Sequence, residues 1–271
     1  VVGCAVAAVT ILAFSIDVAV RWLPPSVEAS ILGGWAESAL DEAEEDGAVD
    51  PRQQPVQQLL TRMARHWPEA PYRFRVGIVE SPDPNAFALP GGWILVTTGL
   101  LDRIRNENEL AFVLGHELGH FRNRDHLRGL GRGVAWGIVS ATLGLGEGAA
   151  STLAQVAGGL SNRHFDRDQE SDADRVGLEL LSAEYGHVGG SSAVFAYVLA
   201  PDPDGAGEGK DHVASGAVDL VAGWLSTHPA HDDRIAQLGR VTVDRGFRAE
   251  GVLRPWPHEG EGPAQGAAGP E

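Results

Sequence analysis

The 271-residue chain contains a single cysteine, Cys4, and a single methionine, Met63. With one thiol no disulfide can close within the chain, and no cysteine-based zinc cluster can be assembled. Any metal held here must be held by His, Asp or Glu. Basic residues are also scarce: 21 Lys and Arg face 37 Asp and Glu, a formal net charge of -16. Such a field repels phosphate backbones and anionic headgroups, which argues against a nucleic-acid partner. No internal repeat is present. Apolar residues nonetheless make up 43% of the chain, enough to give one large domain or two small ones a real core.

Long charge-free runs are few. The first, VVGCAVAAVTILAFSIDVAV, is interrupted only by Asp17 and is followed by Arg21, Trp22 and Pro24-Pro25. A run of about 20 such residues can cross a bilayer, with Arg21 and Trp22 as interfacial anchors. Residues 1–23 are therefore expected to be an N-terminal membrane anchor or signal-like segment. Val1-Val2-Gly3-Cys4 also has the look of a lipobox. A second apolar, glycine-rich stretch, Gly129 to Leu160, is broken by Arg132 and Glu147 into halves of about 14 uncharged residues. These are short for a bilayer span and read as two core or membrane-docking helices.

Between and after these runs the chain divides by composition. Residues 24–54 hold the acidic stretch ESALDEAEEDGAVDP and read as a solvated linker or helix. In PVQQLLTRMARHW, Pro55 to Trp67, the residues Val56, Leu59, Leu60, Met63 and Trp67 share one helical stripe. YRFRVGIVE, Tyr72 to Glu80, alternates as a half-buried strand does. NAFALPGGWILVTTGLL then reads as a strand, a Pro90-Gly91-Gly92 turn and a second strand, Trp93 to Thr97. A short helix from Gly99 to about Ile104 follows. Asn106 is a suitable cap for a longer one, with Glu107 and Glu109 in its first turn. A further helix is expected in NRHFDRDQESDADRVGLELL, a loose loop in PDPDGAGEGKD, and a disordered tail over 251–271, leaving 55–250 as the folded domain.

The chemistry concentrates in LGHELGHFRNRDH, Leu114 to His126. On a helix, residues i and i+4 share a face, so His116 and His120 can aim two imidazoles at one point. Glu117 lies about 100° further round, where a carboxylate can take a proton from a water without binding the metal. Zinc with two such histidines needs a third protein ligand and an open position.

Two candidates compete for that third place. His126 sits where an extended HExxHxxGxxH pattern would put another histidine, but that pattern wants glycine where this chain has Asn123 and a methionine downstream, whereas Met63 is upstream. An exposed or helix-end histidine is the plainer expectation for His126. The other candidate is Glu170, in RDQESDADRVG. With Asp174 at i+4, it can offer one carboxylate to the metal and leave another to hold the imidazole N–H of a ligand.

Four segments in this order resemble the HtpX/BepA-like family of zinc metalloendopeptidases, which includes the CAAX prenyl proteases and Oma-type proteases. They are NAFALPGGWILVTTGLL (Asn85 to Leu101), HELGH (His116 to His120), RDQESDADRVG (Arg167 to Gly177) and STHPAHDDRI (Ser226 to Ile235). The resemblance implies one Zn2+ per chain held by His116, His120 and Glu170, with Glu117 as general base and Asp174 supporting a histidine ligand. It further implies that His228 lies at the cleft, to hold an oxyanion or occlude the metal, and that Arg234 buttresses the site. Asn85, Ala86, Phe87 and Ala88 would form a strand edge that pairs with an extended substrate. The fold expected is α+β and mostly helical, a zincin-like metalloprotease domain with a small β-sheet and an HExxH active-site helix. The function expected is a membrane-associated peptidase of envelope protein quality control, on the periplasmic or extracytoplasmic face, acting on protein or peptide substrates. Two other readings stay open: a client-binding chaperone that seldom cuts, and a small-molecule metallohydrolase with a closed pocket.

Overall fold

The computed structural model describes residues 24–29, 50–128, 167–198, 228 and 233–256, together with Ser15 and Trp22. The apolar stretches expected at 1–23 and 129–160 lie essentially outside these residues. No helix among the described residues is long and apolar enough to cross a membrane.

Helix α1, Gln53–Ala64, buries Val56, Leu59, Leu60 and Met63, the stripe that its periodicity predicts. It starts two residues before Pro55, which sits in the first turn, where a missing N–H costs no helical hydrogen bond. The domain therefore begins ahead of residue 55. Arg52, just before the helix, binds Asp50 through Nη2 at 2.7 Å.

Three strands follow: β1, Arg75–Val79; β2, Ala86–Leu89; and β3, Trp93–Thr97. The sheet order is β1-β3-β2, with β1 parallel and β2 antiparallel to β3. The β2–β3 hairpin is the one expected. Gly91 and Gly92 take φ of 88° and 93°, and a Cβ on Gly92 would lie 2.8 Å from the Arg73 carbonyl oxygen, so this turn requires glycine. The first strand is shorter than its alternation predicts. Tyr72 and Phe74 stand outside it and pack on Phe121 instead, each with ring centroids 5.2 Å away.

Thr97 caps α2, Thr98–Arg103, by accepting from the Leu100 N–H. Asn106 then caps α3, Glu107–Asn123, by accepting from the Glu109 N–H, while the Glu109 carboxylate reaches back to the Arg105 N–H at 2.8 Å. This reciprocal pairing satisfies donors that a helix start leaves open. Helix α3 is buried from Asn108 to Phe121 and forms the axis of the domain. Arg124 ends it in the left-handed conformation, and the short α4, Asp125–Arg128, sets off in a new direction.

Helix α5, Arg167–Tyr185, lies against α3 at backbone contact. A Cβ on Gly119 would fall 2.7 Å from Ala173 Cα, and one on Gly115 would fall 3.1 Å from Gly177 Cα. Small residues on both helices allow this approach, and it brings side chains of α5 over the His116–His120 face. A helical turn, Ser191–Ala193, runs into a π-helical segment, Val194–Val198, and α6 spans Arg234–Asp244.

Both flanks of the domain are more ordered than composition suggests. Residues 25–29 form a helical turn within the expected linker, and the buried Glu28 carboxylate accepts from Tyr72 Oη at 2.8 Å and the Gly91 N–H at 3.2 Å. The expected tail is tied down as far as residue 256. Arg254 O accepts from the Glu107 N–H at 2.8 Å, Arg254 N–H donates to Asn108 Oδ1 at 2.9 Å, and Trp256 is buried.

Candidate metal centre

His116 and His120 project from the buried face of α3 with Nε2 atoms 3.1 Å apart. Each ring is fixed from behind. His116 Nδ1 lies 2.9 Å from Asp174 Oδ1, and His120 Nδ1 lies 3.2 Å from Asp125 Oδ2. A carboxylate accepts only, so both Nδ1 atoms carry the ring proton and both Nε2 atoms present lone pairs. Two lone pairs facing each other at 3.1 Å repel, and a cation between them turns the repulsion into coordination.

The remaining groups strengthen that demand. Glu170 Oε2 is 3.6 Å from His116 Nε2 and Glu170 Oε1 is 3.6 Å from His120 Nε2. His228 Nδ1 is 2.9 Å from Glu170 Oε1 and 3.3 Å from His116 Nε2. One ligand atom from each of His116, His120, Glu170 and His228 falls within 4.8 Å of the other three, and all four residues are buried. Nitrogen and carboxylate donors at this separation suit a four-coordinate divalent transition metal of the zinc type, and the absence of sulfur is no obstacle.

Arg234, from the start of α6, braces the acidic side. Its Nε and Nη2 donate to Asp174 at 3.0 and 2.7 Å, its Nη1 lies 2.8 Å from Glu170 Oε2, and its guanidinium stacks 4.2 Å over the Phe195 ring. The guanidinium thus grips Asp174 with two nitrogens and Glu170 with the third, tying both carboxylates of α5 to one cation. Burial pushes the Glu170 carboxyl up, but the neighbouring His228, His116 and His120 outweigh it and hold the group below the usual carboxylate range. Burial also pushes His116 well below the ordinary imidazole value, against the pull of Glu170, which favours the neutral ring that a ligand needs.

Glu117 is buried, and among the described residues neither of its carboxyl oxygens has a hydrogen-bond partner. Burial, then the charge of Glu170, pushes it well above the ordinary glutamate value, while the Ala88 N–H and Arg234 pull it back. The Ala88 N–H is near enough to act on this carboxyl, which places β2 beside Glu117. Among the described residues β2 is an edge of the sheet, paired only with β3. His228 Nε2 lies 3.6 Å from Glu117 Oε1 on the other side.

A profile of Peptidase family M48 matches residues 50–242. The chain belongs to that family. Metalloendopeptidase OMA1, mitochondrial, of Bos taurus is 32% identical over 186 residues, covering 61% of this chain and 32% of the relative. Metalloprotease YcaL of Escherichia coli strain K12 is 38% identical over 104 residues, 36% of this chain and 41% of the relative. Protease HtpX homolog of Paraburkholderia phytofirmans is 28% identical over 213 residues, 68% of this chain and 71% of the relative. The chain spans about a third of the length of the bovine OMA1 protein. The mostly helical architecture, small sheet and HExxH helix are those of an M48 domain.

The M48 centre brings together His116, His120, Glu170, His228, Asp174, Arg234 and Glu117, with β2 alongside. One residue of the site escaped the sequence reading, and so did the burial and partner of a second. Asp125 holds His120, and nothing in its sequence position marks it. His126 is neither exposed nor part of the metal cluster: it is buried at the start of α4, its Nε2 bound to Glu28 Oε1 at 2.7 Å and its Nδ1 3.4 Å from the His120 carbonyl oxygen. Its partner precedes it by 98 positions, a separation at which no local pattern could reveal the pair.

Proposed function

We propose that this M48 chain is a zinc-dependent endopeptidase, with His116, His120 and Glu170 as the zinc ligands and Glu117 as the general base. The observation that carries the proposal is the convergence of those three donor groups beside a buried carboxyl that, among the described residues, has no hydrogen-bond partner and adjoins the edge strand β2. Zinc, when bound, supplies Lewis acidity toward a peptide carbonyl and toward water. The side chains around it do the rest. Glu117 takes the proton of the attacking water and passes it to the departing amine. Asp174 and Arg234 keep His116 and Glu170 in place. Ala86 and its neighbours Asn85, Phe87 and Ala88 hold an extended substrate by main-chain pairing, which is tolerant of sequence. His228 stands among the ligand atoms, where its ring would shield a bound metal or, turned toward the substrate, offer an N–H to a carbonyl oxygen.

The apolar segment within residues 1–23 supports attachment to a membrane, and by family resemblance we read the substrates as misfolded envelope proteins met on the extracytoplasmic face. The alternative, a client-binding chaperone of the same fold, finds its motive in the edge of β2 that pairs with no second strand among the described residues. Glu117→Gln separates the two readings. As an endopeptidase, the variant loses casein cleavage while keeping one zinc per chain. Wild-type cleavage by Glu117→Gln would remove that residue from the chemistry, and rescue of envelope assembly by the inactive variant would favour the chaperone.

A further inference from the structure

We propose that Asp125 is the residue that positions His120 for metal binding, and that Gln169 holds Asp125 in that task. This rests on the zinc-centre reading and assigns a role to two residues that it leaves unused. A ligating imidazole needs its other nitrogen protonated and held, or the ring can rotate and change tautomer. For His116 the holder is Asp174, on α5. For His120 the holder comes from the opposite direction: Asp125 Oδ2 lies 3.2 Å from Nδ1, and Asp125 is completely buried. Its other oxygen, Oδ1, accepts from Gln169 Nε2 at 2.7 Å.

The contact depends on how α3 ends. At about 100° per residue, position i+5 on an unbroken helix lies about 140° away from position i and faces a different side. Arg124 adopts φ of 57°, breaks the helix and folds Asp125 back beneath His120. Gln169 precedes Glu170 on α5, so one helix delivers a metal ligand, the holder of one histidine and the support for the holder of the other. Any displacement of α5 therefore reaches His120 through Gln169 and Asp125 as well as through Glu170.

The test compares the full chain with Asp125→Ala, Asp125→Asn, Gln169→Ala, and the controls His116→Ala and Glu170→Ala. The zinc dissociation constant is read by competition with a chromophoric chelator, folding by circular dichroism, and the His120 tautomer by 15N NMR of the histidine rings in the metal-free protein. Asp125→Ala should weaken zinc binding by about 10- to 100-fold and mix the His120 tautomers. Asp125→Asn keeps an acceptor for the Nδ1 proton and should recover most of that loss. Gln169→Ala should weaken binding in the same direction by less. If Asp125→Ala does not fold, the Asn and Gln169 variants carry the test. Zinc binding lost in the two controls but unchanged in the folded Asp125 and Gln169 variants would overturn the role of Asp125 alone. A wild type that binds no zinc, or controls that keep it, would overturn the zinc centre itself and this inference with it.

Discussion

Two buried groups of histidine and glutamate lie on either side of the turn at Arg124, and they behave in opposite ways. On the α3 side are His116, His120, Glu170 and His228. On the α4 side Glu28 meets His126 at 2.7 Å, Tyr72 at 2.8 Å, the Gly91 N–H at 3.2 Å and Arg124 at 3.4 Å. Residue types hardly distinguish the groups, but protons do. Around Glu28 one carboxylate receives several donors, and the group is electrostatically satisfied by protein alone. Around His120 the two rings donate their outer N–H groups to Asp174 and Asp125, so acceptor faces acceptor in the middle. The first arrangement is a structural lock and the second invites a cation. Which nitrogen's proton the neighbours hold, rather than the presence of His and Glu, distinguishes the two groups.

The largest effect that sharpens this contrast is catalytic. Glu117→Gln should lower peptide hydrolysis by about 10²- to 10⁴-fold with zinc content unchanged, measured on a quenched peptide beside metal analysis. Next comes metal-linked stability. Zinc at about a thousand times its dissociation constant should stabilise the wild type by about 4 kcal/mol, and His120→Ala should gain almost none of it. Glu28→Ala should keep the full zinc effect in the same thermal-shift experiment. An equal loss in both variants would erase the distinction drawn between the two groups.

A smaller effect belongs to the lock itself. Glu28→Ala strands the buried hydroxyl of Tyr72 and the ring of His126, and should cost about 1–3 kcal/mol in urea unfolding with metal content intact. Subtlest is its pH dependence. Burial pushes the Glu28 carboxyl up, but His126, Tyr72 and the Gly91 N–H overcome this and hold it below its ordinary value of 4.5. A depressed carboxyl contributes stability that is present above the unfolded-state pKa and is lost as pH falls through the folded one. The stability gap between wild type and Glu28→Gln should therefore persist from neutral pH down to about 4.5 and close below it. Closure already near pH 6 would assign the dependence to a histidine instead.

The metal centre was far more legible in the sequence than the lock, for reasons of distance along the chain and of backbone conformation. His116, Glu117 and His120 declare themselves because helical spacing converts directly into geometry. Glu170 and Asp174 do so through the resemblance of RDQESDADRVG to the third-ligand helix of the family, because acidic residues on a helix otherwise read as a solvated face. Asp125 stays hidden because the contact requires a left-handed arginine, and that conformation leaves no mark in residue type as a glycine would. Glu28 is hidden by its place in a stretch whose composition suggests a solvated linker, and residues 251–256 by the polar, proline-bearing look of a loose end. His126 misleads in the other direction, since its offset from His120 matches a ligand pattern while its ring turns away to Glu28.

The glycine seam between α3 and α5 bears on which ions the centre accepts. Because main chain rests against main chain at Gly119 and Ala173, the gap across which ligands must meet works like a fixed caliper, set by steric contact rather than by supple side chains. A larger side chain at Gly119 would have to push α5, and Glu170 with it, away from His116 and His120, so what the centre can hold is set in part by a position that lies outside it.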